Sequence, residues 1–241
     1  MAAVKPVPIV ALDVPDIERA KAIVRMLDDS CSFYKIGSEL FTSVGPEVVD
    51  WVRSEGKRVF LDLKFHDIPN TVRSASRSAA ACGASLITVH GIGGPAMIAA
   101  AVDGAGEHCG VLGVTVLTSL DAGELTRSLG RAVESVPDEV SRIAALASEA
   151  GAHGVVCSGH ESARIVSEHA GKLATLVPGV RLAGDSANDQ SRVVTPLDAA
   201  RSGATYIILG RTVTAAKDPV AAMARVNGEL VAAVSQESTK G

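Results

Sequence analysis

In SEGKRVFLDLKFHDIP, residues 54–69, a glycine leads into an apolar run that ends in charges. Gly56 suits the end of a helix, because glycine accepts the left-handed conformation that closes one. The β-prone run 58–64 follows at once. Side chains alternate along a strand, so Phe60, Asp62 and Lys64 share one face while Val59, Leu61 and Leu63 share the other. The all-apolar face suits a covering layer of helices. The charged face suits the inside of a barrel, with Asp62 and Lys64 near its mouth and Asp67 in the loop beyond.

The same helix–glycine–strand unit recurs in ACGASLI (81–87), EAGAHGVV (149–156) and RSGATYI (201–207). Eight β-rich runs are legible, at 8–13, 33–37, 58–64, 85–91, 111–118, 154–159, 174–180 and 206–211. Between them lie Ala-rich stretches with helical spacing, such as 15–29 and 71–83. Strands joined through helices are parallel. The expected fold is therefore α/β, a closed (β/α)8 TIM barrel, with a doubly wound open sheet as the rival. One barrel domain is expected over residues 1–241, with 235–241 a frayed tail. The long connection 117–140 is expected to hold a short extra helix.

Hydrophobic residues make up 47% of the 241, enough for a full core, and aromatics only 3%, too few for a base-stacking platform. A net charge of −4 argues against a polyanionic partner, so no nucleic acid is expected. Cys31, Cys82, Cys109 and Cys157 form no CxxC and read as free thiols in a reducing compartment. The first thirteen residues lack the pattern of a signal peptide. No apolar run approaches the roughly 18 residues of a membrane span. The expected setting is cytoplasmic, without a membrane partner.

Other strand ends repeat the charged pattern. Asp13 shares a face with Ile9 and Ala11, and Lys35 sits among apolar neighbours in FYKIG (33–37). Asp13, Lys35, Asp62 and Lys64 thus converge on one barrel mouth, with Asp67 close by. Unit charges about 4 Å apart interact by roughly 4 kcal/mol at an effective dielectric near 20. An ion-pair network that only fills the mouth is the bland alternative. Five charges on consecutive strand ends are costly to desolvate and packing does not require them, which favours a functional site. A metal held by Asp13, Asp62 and Asp67 would compete with two lysines.

The chain's last strand ends in YIILGRTVT (206–214), where Gly210 and Arg211 precede a short helix. Barrels often bind phosphate there, through backbone N–H groups and a helix N-terminus. Arg181 and Gln190, in the loop 178–192, are candidates to close over the same anion. Thr118 is either a ligand contact or a capping residue. HGIGGP (90–95) lacks dinucleotide-binding spacing and reads as a turn. The six histidines form no HExxH; His90 is a candidate neighbour of the site and His66 a loop residue.

DLKFHDIPNT (62–71) closely resembles the D-x-K-x-x-D-I-P-x-T signature of the orotidine 5′-monophosphate decarboxylases. The resemblance extends in family order through VALD, YKIG, TVHG, VTVLTS, LVPGVR, DQ followed by Arg192, and ILGR, over nearly the whole chain. A sister group of magnesium-dependent sugar-phosphate decarboxylases and hexulose-phosphate synthases shares DxKxxD but typically has Glu where this chain has Lys35. The resemblance implies decarboxylation of orotidine 5′-monophosphate to UMP without metal or cofactor, a carbon–carbon lyase of pyrimidine biosynthesis. It implies that Asp62 opposes the substrate carboxylate, that Lys64 stabilises and protonates the C6 carbanion, and that Lys35 and Asp67 complete the charge array. Asp13 and Lys35 would bind ribose, Thr118 the pyrimidine edge, and Arg181, Gln190, Gly210 and Arg211 the phosphate. Asp67, Ile68 and Thr71 would reach into a partner's site, making a homodimer with shared active sites. The residues leave two other functions open. One is a Schiff-base aldolase using Lys64, against which the flanking aspartates argue; the other is a catalytically silent nucleotide binder.

Overall fold

Eight parallel strands pair in sequence order and close into a barrel, β8 meeting β1, in a computed structural model that describes residues 5–185 and 193–238. The strands are β1 (Val7–Ala11), β2 (Phe33–Gly37), β3 (Arg58–Phe65), β4 (Leu86–His90), β5 (Gly110–Val114), β6 (Gly154–Val156), β7 (Ala174–Val180) and β8 (Tyr206–Leu209). Helices follow them on the outside. These are α1 (Ile17–Leu27), α2 (Ser38–Val44), α3 (Glu47–Ser54), α4 (Pro69–Ala81), α5 (Pro95–Ala105), α6 (Ala122–Leu129), α7 (Val136–Glu149), α8 (Gly159–Glu168), α9 (Pro196–Arg201), α10 (Arg211–Thr214) and α11 (Pro219–Ser238). The closed ring excludes the open-sheet alternative. The extra helix expected within 117–140 is α6, held by a reciprocal cap between Asp121 and Glu124.

Alternation along the strands sorts the core into two compartments. Ile9, Phe33, Phe60, Leu86, Leu112, Leu176 and Ile208 point inward and fill the barrel with a small cluster of their own. Val10, Tyr34, Val59, Leu61, Ile87, Val111, Val177 and Ile207 point outward and join the larger cluster beneath the helices. The helix–glycine–strand punctuation is visible in the backbone: Gly56 and Gly83 have φ of 73° and 89°, and Gly151 and Gly203 behave alike. Helices α4 and α5 touch so closely that a Cβ on Gly104 would lie 2.1 Å from the Arg73 carbonyl oxygen.

Several strands stop earlier than the apolar runs suggest. β1 ends at Ala11, β5 at Val114 and β6 at Val156. Beyond β6, Ser158 caps α8, and its amide and hydroxyl both donate to the buried Glu161 carboxylate. At the chain's end α11 runs through 235–238, the first part of the stretch expected to fray. The four cysteines are free; Cys31, Cys109 and Cys157 are buried, and burial pushes the Cys109 thiol up to about 11. Among the described residues no helix is long and apolar enough to cross a membrane.

Candidate active site

The open C-terminal end of the barrel holds a cavity of about 250 Å³. Its lining includes Asp13, Lys35, Asp62 and Lys64 on one side and Thr118, Arg181 and Gly210 on the other. Val114, Val116, Leu117 and Pro178 form apolar wall between them. The cavity floor includes Phe60, Leu176 and Ile208 from the inner core. Acids and lysines thus sit at one flank and Arg181 at the other, over a pocket whose base is apolar.

The charges alternate. Lys35 Nζ donates to Asp13 Oδ1 at 2.7 Å and lies 3.6 Å from Asp62 Oδ2. Lys64 Nζ donates to both Asp62 oxygens, at 2.8 and 2.9 Å. Two carboxylates and two ammoniums form a neutral chain in the order Asp13, Lys35, Asp62, Lys64. Asp62 and Lys35 are 9% and 8% exposed, so the middle of the chain is nearly out of water. Burial alone would raise the Asp62 pKa. The charges of Lys35 and Lys64, with hydrogen bonds from Lys64 and Thr88, outweigh it and hold the carboxyl below its ordinary value.

Local backbone explains how consecutive inward positions meet. Phe60 and Asp62 follow the alternation of β3. Beyond them the register shifts: Leu61 pairs with Ile87, but Phe65 pairs with Val89, so β3 carries two more residues than β4 across this stretch. Lys64 lies in that bulge with φ of 51°, a region non-glycine residues rarely occupy. The simple alternation expected through Lys64 is thus broken at that residue. Its side chain nevertheless returns to Asp62.

The side of the cavity formed by Arg181 and Gly210 is built differently. Gly210 precedes α10, whose first residue is Arg211. Arg211 is exposed beside the cavity, while Arg181 lines it and donates from Nη1 to the Val180 carbonyl at 3.0 Å. Thr212 ties the two segments together: its hydroxyl accepts from the Leu182 amide at 3.1 Å and donates to Asp185. Gln190 lies outside the described residues.

Asp67, Ile68 and Thr71 stand apart from this cavity. All three are exposed, Ile68 by 68%, and Asp67 Oδ1 accepts from the Ile68 amide at 2.6 Å. Asp67 and Ile68 line a separate open hollow with His66, Pro69 and Gly93. Within one chain Asp67 therefore does not join the array. His90, at the end of β4, faces His66 with ring centroids 5.4 Å apart. Burial, then the neighbouring His66 and Lys64, hold the His90 pKa below its usual value. HGIGGP forms a 3-10 turn over Gly91–Gly93, as expected.

Sequence reasoning passed over Thr88. It is fully buried, donates to Asp62 Oδ1 at 2.9 Å and accepts the Lys64 amide at 2.9 Å. The available signal was its parity with the inward-facing Leu86 in β4, which puts a hydroxyl on the same interior face as the apolar Leu86. Among the described residues no group of three or more His, Cys, Asp or Glu side chains is arranged to hold a metal ion.

Known proteins share this plan. The family model described as "Orotidine 5′-phosphate decarboxylase / HUMPS family" matches residues 6–226. Orotidine 5′-phosphate decarboxylase of Moorella thermoacetica is 44% identical over 230 residues, 92% of this chain and 91% of its own. The enzyme of that name from Anaeromyxobacter dehalogenans is 49% identical over 213 residues, covering 88% and 92%. The crystal structure of orotidine 5′-phosphate decarboxylase from Lactobacillus acidophilus superposes with a TM-score of 0.83 at 35% identity, over 94% of this chain and 99% of that one. With a matching barrel, a sequence match along most of its length and Asp62 and Lys64 of the DxKxxD pattern at the mouth, the chain belongs to the orotidine 5′-phosphate decarboxylase / HUMPS family.

Proposed function

We propose that this protein decarboxylates orotidine 5′-monophosphate to UMP and CO2, the closing step of pyrimidine nucleotide synthesis, using only its own side chains. The observation that carries the proposal is the alternating chain Asp13–Lys35–Asp62–Lys64 at one flank of a half-dry pocket. The C6–carboxylate bond breaks heterolytically, CO2 departs and the electron pair stays on C6. The Lys64 ammonium lies where that charge develops and supplies the proton that makes UMP; the amine regains one from solvent. Asp62, already ionised and buried, repels the substrate carboxylate before the bond breaks. A charge array assembled in advance needs no rearrangement at the transition state, which is where electrostatic catalysis gains most.

Asp13 and Lys35 would take the ribose hydroxyls, Thr118 the pyrimidine edge, and Arg181, Gln190, Gly210 and Arg211 the phosphate. Phosphate binding remote from C6 then contributes to kcat as well as KM. The Lys35 ammonium occupies the space between Asp13 and Asp62 that a divalent cation would need, which favours metal-independent chemistry. Lys64 Nζ is engaged by both oxygens of Asp62, which disfavours a free amine poised to form a Schiff base. Four free cysteines agree with a cytoplasmic setting.

The working form would be a homodimer. Exposed Asp67, Ile68 and Thr71, outside their own chain's cavity, are available to complete a partner's site. Incubation of the purified protein with orotidine 5′-monophosphate in excess EDTA, followed by pyrimidine absorbance, tests the reaction. Turnover is expected; loss with the chelator and recovery with Mg²⁺ would move the protein to the metal-dependent branch, and thermal stabilisation by UMP without turnover would make it a silent binder. Mixing Asp67→Asn with Lys64→Ala protein tests the shared site. Each variant alone should be nearly inactive and the mixture should regain activity, whereas no recovery after confirmed subunit exchange would refute the sharing.

A further inference from the structure

Among the described residues, Thr88 is the one hydroxyl that holds both members of the Asp62–Lys64 pair. Its Oγ1 accepts the Lys64 backbone N–H and donates to Asp62 Oδ1, each at 2.9 Å. It lies opposite the bulge, between Ile87 and Val89, the two residues of β4 that bracket the register shift. It is 0% exposed, so neither partner can exchange it for water without opening the barrel wall.

Lys64 needs such a restraint. Its φ of 51° is one of three positive values at non-glycine residues among the described residues, with Asp28 and Ala170, and it alone lines the cavity. A side chain in the left-handed region is held there only when its surroundings over-determine it. The bulge leaves the Lys64 amide without a place in the ladder, and a buried amide needs an acceptor. The Thr88 hydroxyl supplies it, and its single proton is then committed to Asp62. Loss of the hydroxyl would leave the amide and the carboxylate each short of a partner.

We propose that Thr88 is a positioning residue: by accepting from Lys64 N–H and donating to Asp62, it locks the bulge that turns the Lys64 ammonium back onto the Asp62 carboxylate. It touches no reacting atom. This rests on the proposed decarboxylation for its consequence in turnover, but its geometric part stands independently.

Thr88→Val keeps the shape and removes the hydroxyl; Thr88→Ser keeps the hydroxyl. Thr88→Val should lose kcat by about tenfold or more, with KM and the Kd for UMP within about threefold of wild type, the split expected when a group acts only on transition-state geometry. Thr88→Ser should recover to within about threefold. Wild-type kcat in Thr88→Val, a fall carried by KM alone, or a Ser variant as impaired as Val would each overturn the proposal while leaving the decarboxylation standing. Crystal structures of both variants give an arm independent of turnover. Lys64 should leave the left-handed region, or Asp62 rotate away from it, in Val and not in Ser; an unchanged pair in Val would overturn the proposal even if the wild-type protein turned over no orotidine 5′-monophosphate. If Thr88→Val does not fold, Thr88→Ala, smaller and free of steric conflict, takes its place in both arms.

Discussion

Replacing Asp62 by Asn removes one charge from the centre of the array and almost no volume. Asp62 lies 2.8 Å from Lys64 Nζ and 3.6 Å from Lys35 Nζ. At an effective dielectric of 20 those contacts correspond to roughly 6 and roughly 5 kcal/mol of gross attraction. Most of it offsets the cost of burying the carboxylate, whose side chain is only 12% exposed. Solvent further weakens the Lys64 contact, since that side chain is 37% exposed. Removing one member of a buried pair typically costs about 3–5 kcal/mol. The Asn oxygen can still accept from Thr88 and one ammonium, so the lower end, about 3 kcal/mol, is expected at pH 7. For a chain of this size that is a Tm lowered by roughly 6–12 °C. The charged form of Asp62 is the one the fold favours, because its folded pKa lies below that of the unfolded chain, about 3.9. Its contribution is complete above that value and is lost as pH falls through the folded pKa. The Tm gap between wild type and Asp62→Asn should therefore be widest near neutrality and close in strong acid, where the native residue is itself protonated. Calorimetric melts at pH 7 and near pH 3, alongside kcat, provide the assay; kcat should fall about 10²–10³-fold. A Tm gap of the same size at both pH values would refute the electrostatic account and leave only altered packing.

A Cβ at Gly37 would lie 2.9 Å from Lys35 Nζ and 3.0 Å from Asp13 Oδ1, so Gly37→Ala should push that pair aside and cut kcat/KM by about tenfold with little change in Tm. Steady-state kinetics beside a thermal melt separates the two effects. Gly104→Ala drives a methyl against the Arg73 carbonyl oxygen and should destabilise by about 1–3 kcal/mol in urea unfolding, with kcat unchanged in the folded fraction. At the barrel floor His153 Nε2 lies 3.0 Å from Tyr206 Oη, and burial, then the charge of Arg58, holds its pKa below the usual value. Protonation thus favours the unfolded chain, so stability should decline as pH falls from about 6.5 through the folded pKa; His153→Gln should flatten that slope in urea titrations from pH 7.5 to 5.

The barrel was legible because its two rules are local. Glycine at 56, 83, 151 and 203 marks the helix-to-strand passages into β3, β4, β6 and β8, and alternation in β3 separates Val59 and Leu61 from Phe60 and Asp62 without reference to any other strand. Strand ends were less legible, since Thr115 to Thr118 are as β-prone as the residues before them and only the pairing with short β6 ends β5. The bulge at Lys64 was hidden for a stronger reason. It is a mismatch between two strands, and DLKF carries no glycine to announce it. Thr88 was missed with it, because a threonine in a β run looks like ordinary strand propensity until its partners are known. Asp67 illustrates the opposite limit: spacing along the chain suggested a place near Asp62, yet the helix that begins at Pro69 carries the loop outward.

The seam where β8 lies against β1 joins the last strand to the first, from Val7↔Tyr206 to Val10↔Leu209. The first acid of the array follows one side of that seam and the glycine before α10 follows the other. A growing polypeptide therefore has no partial version of this pocket. Until Tyr206–Leu209 leaves the ribosome, β1 and β7 present raw margins to any neighbouring strand, and misassociation is the hazard of that interval. Once closed, a nucleotide bound as proposed, held at both flanks, would act as a clasp across the join.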